Sequence, residues 1–159
     1  MRKSLFYLAL VLLAGLWTLT FEAIYGRHPL PARIPTHFDM AGNVNGWGEP
    51  RMLWLFPIVA SAMFGLMTLV GFFPQSFNFP TRVTPATRPR LEVLSLQMIA
   101  GLRAELAGLF LGIQYIIIQS ARAGTNRLSP LFVPAVLLVV FGTIGGYLTA
   151  MLRTGRTAA

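Results

Sequence analysis

The sequence predicts an all-α membrane protein of four transmembrane helices, with a structured outer loop between helices 1 and 2. Three observations lead there. Of 159 residues, 55% are hydrophobic and only 11% charged, against about 25% charged in soluble domains. Four stretches stay apolar long enough to cross a hydrocarbon core of about 30 Å, which takes roughly 20 helical residues. Thirteen Lys and Arg against five Asp and Glu give a formal charge of +8, and the basic residues fall between the apolar runs. Charge placed that way orients helices against anionic lipid. It does not form the continuous basic face that nucleic acid needs, so the expected partner is the bilayer and nucleic acid is excluded. The composition also excludes a disordered chain, and the lack of cysteine excludes a disulfide scaffold and a zinc-thiolate site.

The first span is read at residues 5–25, with Glu22 near its end. Arg2 and Lys3 before an apolar run also suggest a signal peptide. The run exceeds the 7–15 residues of a signal core, and Phe21 and Glu22 do not form a small-x-small cleavage site, so an uncleaved helix is expected. Residues 26–51 form the outer loop. The second span, 52–73, carries no charge, and the fourth, 131–152, is opened by Pro130.

The third span, 93–121, is too long and contains Arg103 and Glu105. Counting back about 20 residues from Ala121 reaches Leu102. Arg103 would then lie at the inner interface with its stem snorkelling to the headgroups. Leu91, Leu94, Met98 and Leu102 keep a 3–4 spacing, so this stretch would lie on the membrane surface or project inward. The alternative is one tilted helix with both charged residues buried in the bundle. Two residues apart, they face away from each other, and each needs its own partner.

Between spans two and three, Pro74, Pro80, Pro85 and Pro89 with three arginines read as an extended connector beside anionic lipid. No repeat or second globular unit is evident, so residues 1–159 are expected to form a single four-helix domain. With the N-terminus inside, Arg2, Lys3, Arg82, Arg88, Arg90, Arg153 and Arg156 are cytoplasmic, against Arg27, Arg33, Arg51, Arg122 and Arg127 outside. Seven against five favours cytoplasmic N- and C-termini. Trp47, Trp54 and Tyr25 on one side, and Phe72, Phe73, Phe77 and Phe79 on the other, suit interfacial aromatic belts. Ala104, Gly108 and Gly112 form a small-residue stripe on the third helix, and Gly142, Gly146 and Ala150 another on the fourth. The two are expected to let these helices approach closely.

The outer loop is the distinctive polar segment. Pro29, Pro31 and Pro35 favour extended geometry, while Gly42, Asn43, Asn45, Gly46 and Gly48 accept the backbone of a compact turn. Leu30-Pro-x-x-Ile34-Pro35-Thr36-His37-Phe38, followed by Asp39 and then Gly42-x-x-x-Gly46-Trp47-Gly48, resembles the signature of a bacterial membrane-domain family of unknown function. That domain also forms the N-terminal part of SdpI-type immunity proteins. The resemblance covers Leu30 to Gly48 and implies a loop between the first two helices of a bacterial inner-membrane protein. Asn45 stands before Gly46 where such loops often carry Asp. SdpI proper has further helices, so the resemblance implies the small stand-alone form. It implies no catalytic or cofactor residues.

His37 and Asp39, with Glu22 or His28 nearby, offer imidazoles and carboxylates, the donor types of a divalent metal site, but their spacing matches no established ligand motif. The favoured reading is structural: His37 and Thr36 bond the loop backbone, Asp39 caps the turn, and no cofactor is expected. A calcium loop starting at Ala41 would end at Met52, and neither offers an oxygen side chain. Glu22 and Glu105, ionisable and near apolar surroundings, suggest a proton or substrate path. The expected function is a non-enzymatic scaffold, a sensor or immunity-like protein, or an accessory subunit beside other membrane proteins. The alternatives are a metal-dependent membrane enzyme using the outer-loop His and Asp, and a small transporter.

Overall fold

The structure, a computed structural model, describes residues 2–39, 41–124 and 127–156. Four helices, α1 (Arg2–Tyr25), α2 (Leu55–Val70), α3 (Arg88–Ala123) and α4 (Phe132–Arg156), each belong to a segment long and apolar enough to cross a membrane. The second segment includes a 3₁₀ turn at Pro50–Trp54 that leads into α2. The chain is a multi-pass membrane protein. Its four crossings bring Arg2, the connector 71–87 and the end of α4 to one end of the bundle (the termini end), opposite the hairpin end that carries residues 26–49.

In lipid a backbone must satisfy its own polar groups, which makes helices of the apolar runs. Hydroxyls inside the spans obey the same constraint: Thr18, Thr20 and Thr68 each donate to the carbonyl four residues back, at 2.9, 2.8 and 2.7 Å. Pro89 occupies the first turn of α3, where a missing N–H costs nothing. Just before it, the Thr87 hydroxyl accepts the Thr84 N–H at 2.9 Å and the Thr84 hydroxyl accepts the Thr87 N–H at 3.2 Å. This reciprocal pairing has the logic of a capping box. At the other end Gly124 adopts a left-handed conformation (φ 63°) and donates to the Ser120 carbonyl.

Nothing interrupts α3 between those signals. Its 36 residues span about 54 Å at 1.5 Å per residue, well beyond the hydrocarbon thickness. This corrects the expectation of an interfacial stretch ending near Leu102 with Arg103 snorkelling. Leu91 is fully buried and Arg103 is only 7% exposed, so the continuous-helix alternative holds. The turn of helix that would have lain on lipid is covered by protein instead. Arg88 Nη2 donates to the Gln75 carbonyl at 2.6 Å and its Nε to Glu92 at 2.9 Å, folding the connector back onto α3. Thr81 of the connector approaches Gly155 so closely that a Cβ there would collide with it.

Helix α3 is central, with its broadest contact on α1 and further contacts on α2 and α4. The small-residue stripes do not meet face to face. A Cβ at Gly108 would lie 3.7 Å from Leu12 of α1, not against α4. Gly112 does look toward α4, with Phe132 3.9 Å from such a Cβ, and Gly101 looks toward Thr143 at 3.6 Å. Ala104 is buried, whereas Ala150 is half-buried and Gly142 and Gly146 are exposed, with open space where their side chains would be. The α3–α4 seam runs through Gly101, Glu105 and Gly112, on the same helical face as Gly108, while Gly142 and Gly146 of α4 point away from it into open space.

At the hairpin end the loop is more ordered than an extended run followed by a turn. Strand β1 (Ile34–Phe38) pairs antiparallel with β2 (Val44–Gly48), a small exception within an otherwise helical fold. Ile34 joins Ala23, Leu53, Ile117 and Ile118 in a buried cluster, with Leu30 and Phe38 packed against it. One face of the hairpin thus closes the ends of α1 and α3, and burial of this apolar face is what fixes its register.

Candidate functional site

Two groups of polar residues stand out, one in the hairpin and one inside the bundle. In the hairpin the register pairs Ile34 with Gly48, Pro35 with Trp47, His37 with Gly46 and Phe38 with Val44. Thr36 and Asn45 are the extra residues, so each strand carries a bulge. His37 Nδ1 hydrogen-bonds Asn45 Oδ1, joining the strands at the bulge. The glycines opposite are required by close approach. A Cβ at Gly46 would lie 2.8 Å from that of His37, and one at Gly48 would meet Thr36 Cγ2 at 2.8 Å and the Met52 sulfur. Pro35 is buried, while Trp47 is 47% exposed.

The turn is built on Asp39. Its Oδ1 accepts the Asn43 N–H at 2.8 Å and its Oδ2 accepts the Asn43 amide at 3.3 Å. The backbone closes as well, with the Asp39 N–H on the Asn43 carbonyl at 2.8 Å and the Gly42 N–H on the Asp39 carbonyl at 2.9 Å. The Asn43 N–H, assisted by those of Ala41 and Gly42, holds the Asp39 carboxyl below its ordinary pKa. Gly42 takes φ 82°, and its carbonyl accepts the Leu128 N–H at 2.7 Å. Arg127 bridges to Asn43 through the backbone and reaches Asn43 Oδ1 from Nε at 3.4 Å. The hairpin tip is thereby fastened to the α3–α4 connection, a contact the sequence reading missed because its partners are 84 residues apart.

The proposed metal donors are not brought together. His37 serves Asn45, Asp39 serves the turn, and Glu22, exposed on the last turn of α1, lies against Gly26. Among the described residues no three His, Asp or Glu form a cluster able to hold a metal ion.

Inside the bundle three polar side chains of α3, Arg103, Glu105 and Gln114, are each met by a different helix. Gln114 of α3 donates to the Thr20 hydroxyl of α1 at 2.5 Å, both fully buried. Arg103 Nη1 donates to the Thr68 hydroxyl of α2 at 2.9 Å, and its guanidinium lies 4.7 Å from the Phe6 ring centre and 5.0 Å from that of Phe64. Glu105 accepts from the Thr143 hydroxyl of α4 at 2.5 Å. Arg103 and Glu105 do face different neighbours, as their spacing requires. Their partners are a threonine in each case and, for Arg103, two aromatic faces. Mid-span Thr20 and Gln114 carried a readable signal, since polar residues in lipid-spanning helices seek partners across the bundle.

No curated protein and no solved structure matches the chain. The family described as Domain of unknown function (DUF1648) matches residues 7–60, a stretch that takes in most of α1, the whole hairpin and the first turns of α2.

Proposed function

We propose that the chain is a non-enzymatic protein of a bacterial cytoplasmic membrane, acting as a scaffold, a sensor or immunity-like protein, or an accessory subunit of a membrane complex. The observation that carries this reading is the use to which the hairpin puts its polar groups. His37, Asp39 and Asn43 are engaged in shaping the loop and tying it to the α3–α4 connection. Such a hairpin is a fixed cap with Trp47 turned outward, suited to contact with another protein. The likeness of the Leu30–Gly48 motif to the N-terminal domain of SdpI-type immunity proteins supports the same reading, and so does the family match over residues 7–60. Seven basic residues at the termini end against five at the hairpin end support cytoplasmic termini.

Purification of the full chain in mild detergent tests this. A second membrane protein should come with it at fixed stoichiometry and be lost in Trp47→Ala while the melting curve is kept. A chain that purifies alone, with stoichiometric metal lost in both His37→Leu and Asp39→Asn, would overturn the reading in favour of the metal-dependent enzyme. Cysteines at Asn43 and Thr84, probed in sealed cells with an impermeant reagent, should label at 43 only. A second reading, a small transporter, draws on Arg103 and Glu105 inside the spans. It requires proton-coupled flux in liposomes that Glu105→Gln abolishes.

A further inference from the structure

A cleft of about 320 Å³ opens at the termini end between α1, α2 and α3. Arg2, Lys3 and Arg103 line it, with Thr68, and among the described residues no carboxylate does. Arg2 and Lys3 are exposed, while Arg103 is 7% exposed and its Nε, fully buried, has no hydrogen-bond partner among the described residues. The two carboxylates of α3 are turned elsewhere, Glu92 toward Arg88 and Glu105 toward Thr143. A guanidinium taken out of water with a single hydroxyl acceptor and two aromatic faces is undercompensated, because burying a charge needs an opposite charge beside it. The remaining wall is apolar and includes Phe72 and Ile99.

We propose that this cleft binds the phosphate of an anionic phospholipid. The headgroup would enter beside Arg2 and Lys3 with its charge toward Arg103, and the acyl chains would run along the apolar wall. Phosphate is the shared chemistry, and planar guanidinium forks favour it. The apolar wall favours a lipid over a soluble phosphate, as basic pockets between helices at a membrane surface do. A bilayer offers headgroups at both faces, so this assignment stands independently of the orientation and of the partner-binding role above.

Native mass spectrometry of the full chain, released from mixed phosphatidylglycerol and phosphatidylcholine micelles, tests the assignment. The parent should retain phosphatidylglycerol in preference to phosphatidylcholine. Arg103→Gln should reduce that preference by about fivefold, the order expected for one basic residue. Arg2→Gln with Lys3→Gln changes two exposed side chains, leaves the packing intact, and should reduce it at least as far. Equal retention of both lipids by the parent would overturn the proposal, as would a preference unchanged in the Arg2/Lys3 double variant. Displacement of the lipid by millimolar inorganic phosphate, with matching protection against melting, would assign the cleft to soluble phosphate and overturn the lipid.

Discussion

The hairpin and the bundle find partners for their polar groups by opposite means. In the hairpin, Asp39 finds Asn43 four residues on and His37 finds Asn45 eight residues on. In the bundle, Arg103 reaches back 35 residues to Thr68, Glu105 forward 38 to Thr143, and Gln114 back 94 to Thr20. Water competes for the exposed hairpin groups, so each of their bonds adds little net stability. The bundle groups have no water to fall back on, and their partners hold helices together. The hairpin's shape is thus written in a short stretch of sequence, whereas the bundle's arrangement depends on residues that only folding brings together.

The largest effect that would break this comparison is expected at Gly42. Its φ of 82° and the Leu128 carbonyl in the way of any Cβ make Gly42→Val incompatible with the tip, at about 2–3 kcal/mol. Hydrogen exchange should accelerate across residues 34–48 while the spans stay protected; equal loosening of the spans would show that the hairpin is not a separate local unit. Next comes Gly108→Leu, whose added side chain extends from a Cβ already 3.7 Å from Leu12 and should lower detergent melting by about 1–3 kcal/mol equivalent. Gly65→Leu and Gly146→Leu point into open space and should stay within about 0.5 kcal/mol of the parent. A large loss at Gly146 would instead reveal another chain seated on α4.

Smaller still is the contrast between Gln114→Leu and His37→Leu. Gln114→Leu should cost about 1 kcal/mol, the upper part of the range for bonds within membranes. His37→Leu should cost less, since its imidazole is exposed and water replaces Asn45. His37→Asn should be milder again, because an amide can reach the same partner. Reversal of the first two in paired melting curves would sink the distinction between the regions. The smallest effect concerns pH. Asp39 has its pKa lowered by folding, so it favours the ordered hairpin above the ordinary carboxylate value. That contribution fades as pH falls through the lowered one. Amide exchange at Asn43 should rise on acidification in the parent and be pH-insensitive over the same window in Asp39→Asn.

The same contrast explains what the sequence disclosed. Long apolar runs announced all four helices, because lipid leaves the backbone no alternative. The glycines and Asp39 announced a tight turn, because their requirements are local. The fate of Arg103 was not readable: whether an arginine near a helix end snorkels or turns inward depends on Phe6, Phe64 and Thr68, from two other helices. The glycine stripes name no neighbour for a related reason. A spacing of four identifies one face of a helix but not its neighbour, and Gly108 met α1 while Gly146 met nothing. Strand pairing escaped because two bulges, at Thr36 and Asn45, break the period-two alternation by which strands are recognised.

The bond from Leu128 to Gly42 also bears on the order of events during synthesis. Residues 34–48 can pair as soon as they emerge, since their contacts are short-range. The tip's anchor, however, is not made until two further helices have been threaded into the bilayer and the segment after α3 has followed. Assembly therefore has a built-in checkpoint: the cap can be shaped early, but it is latched only after the third crossing has been completed in the right direction.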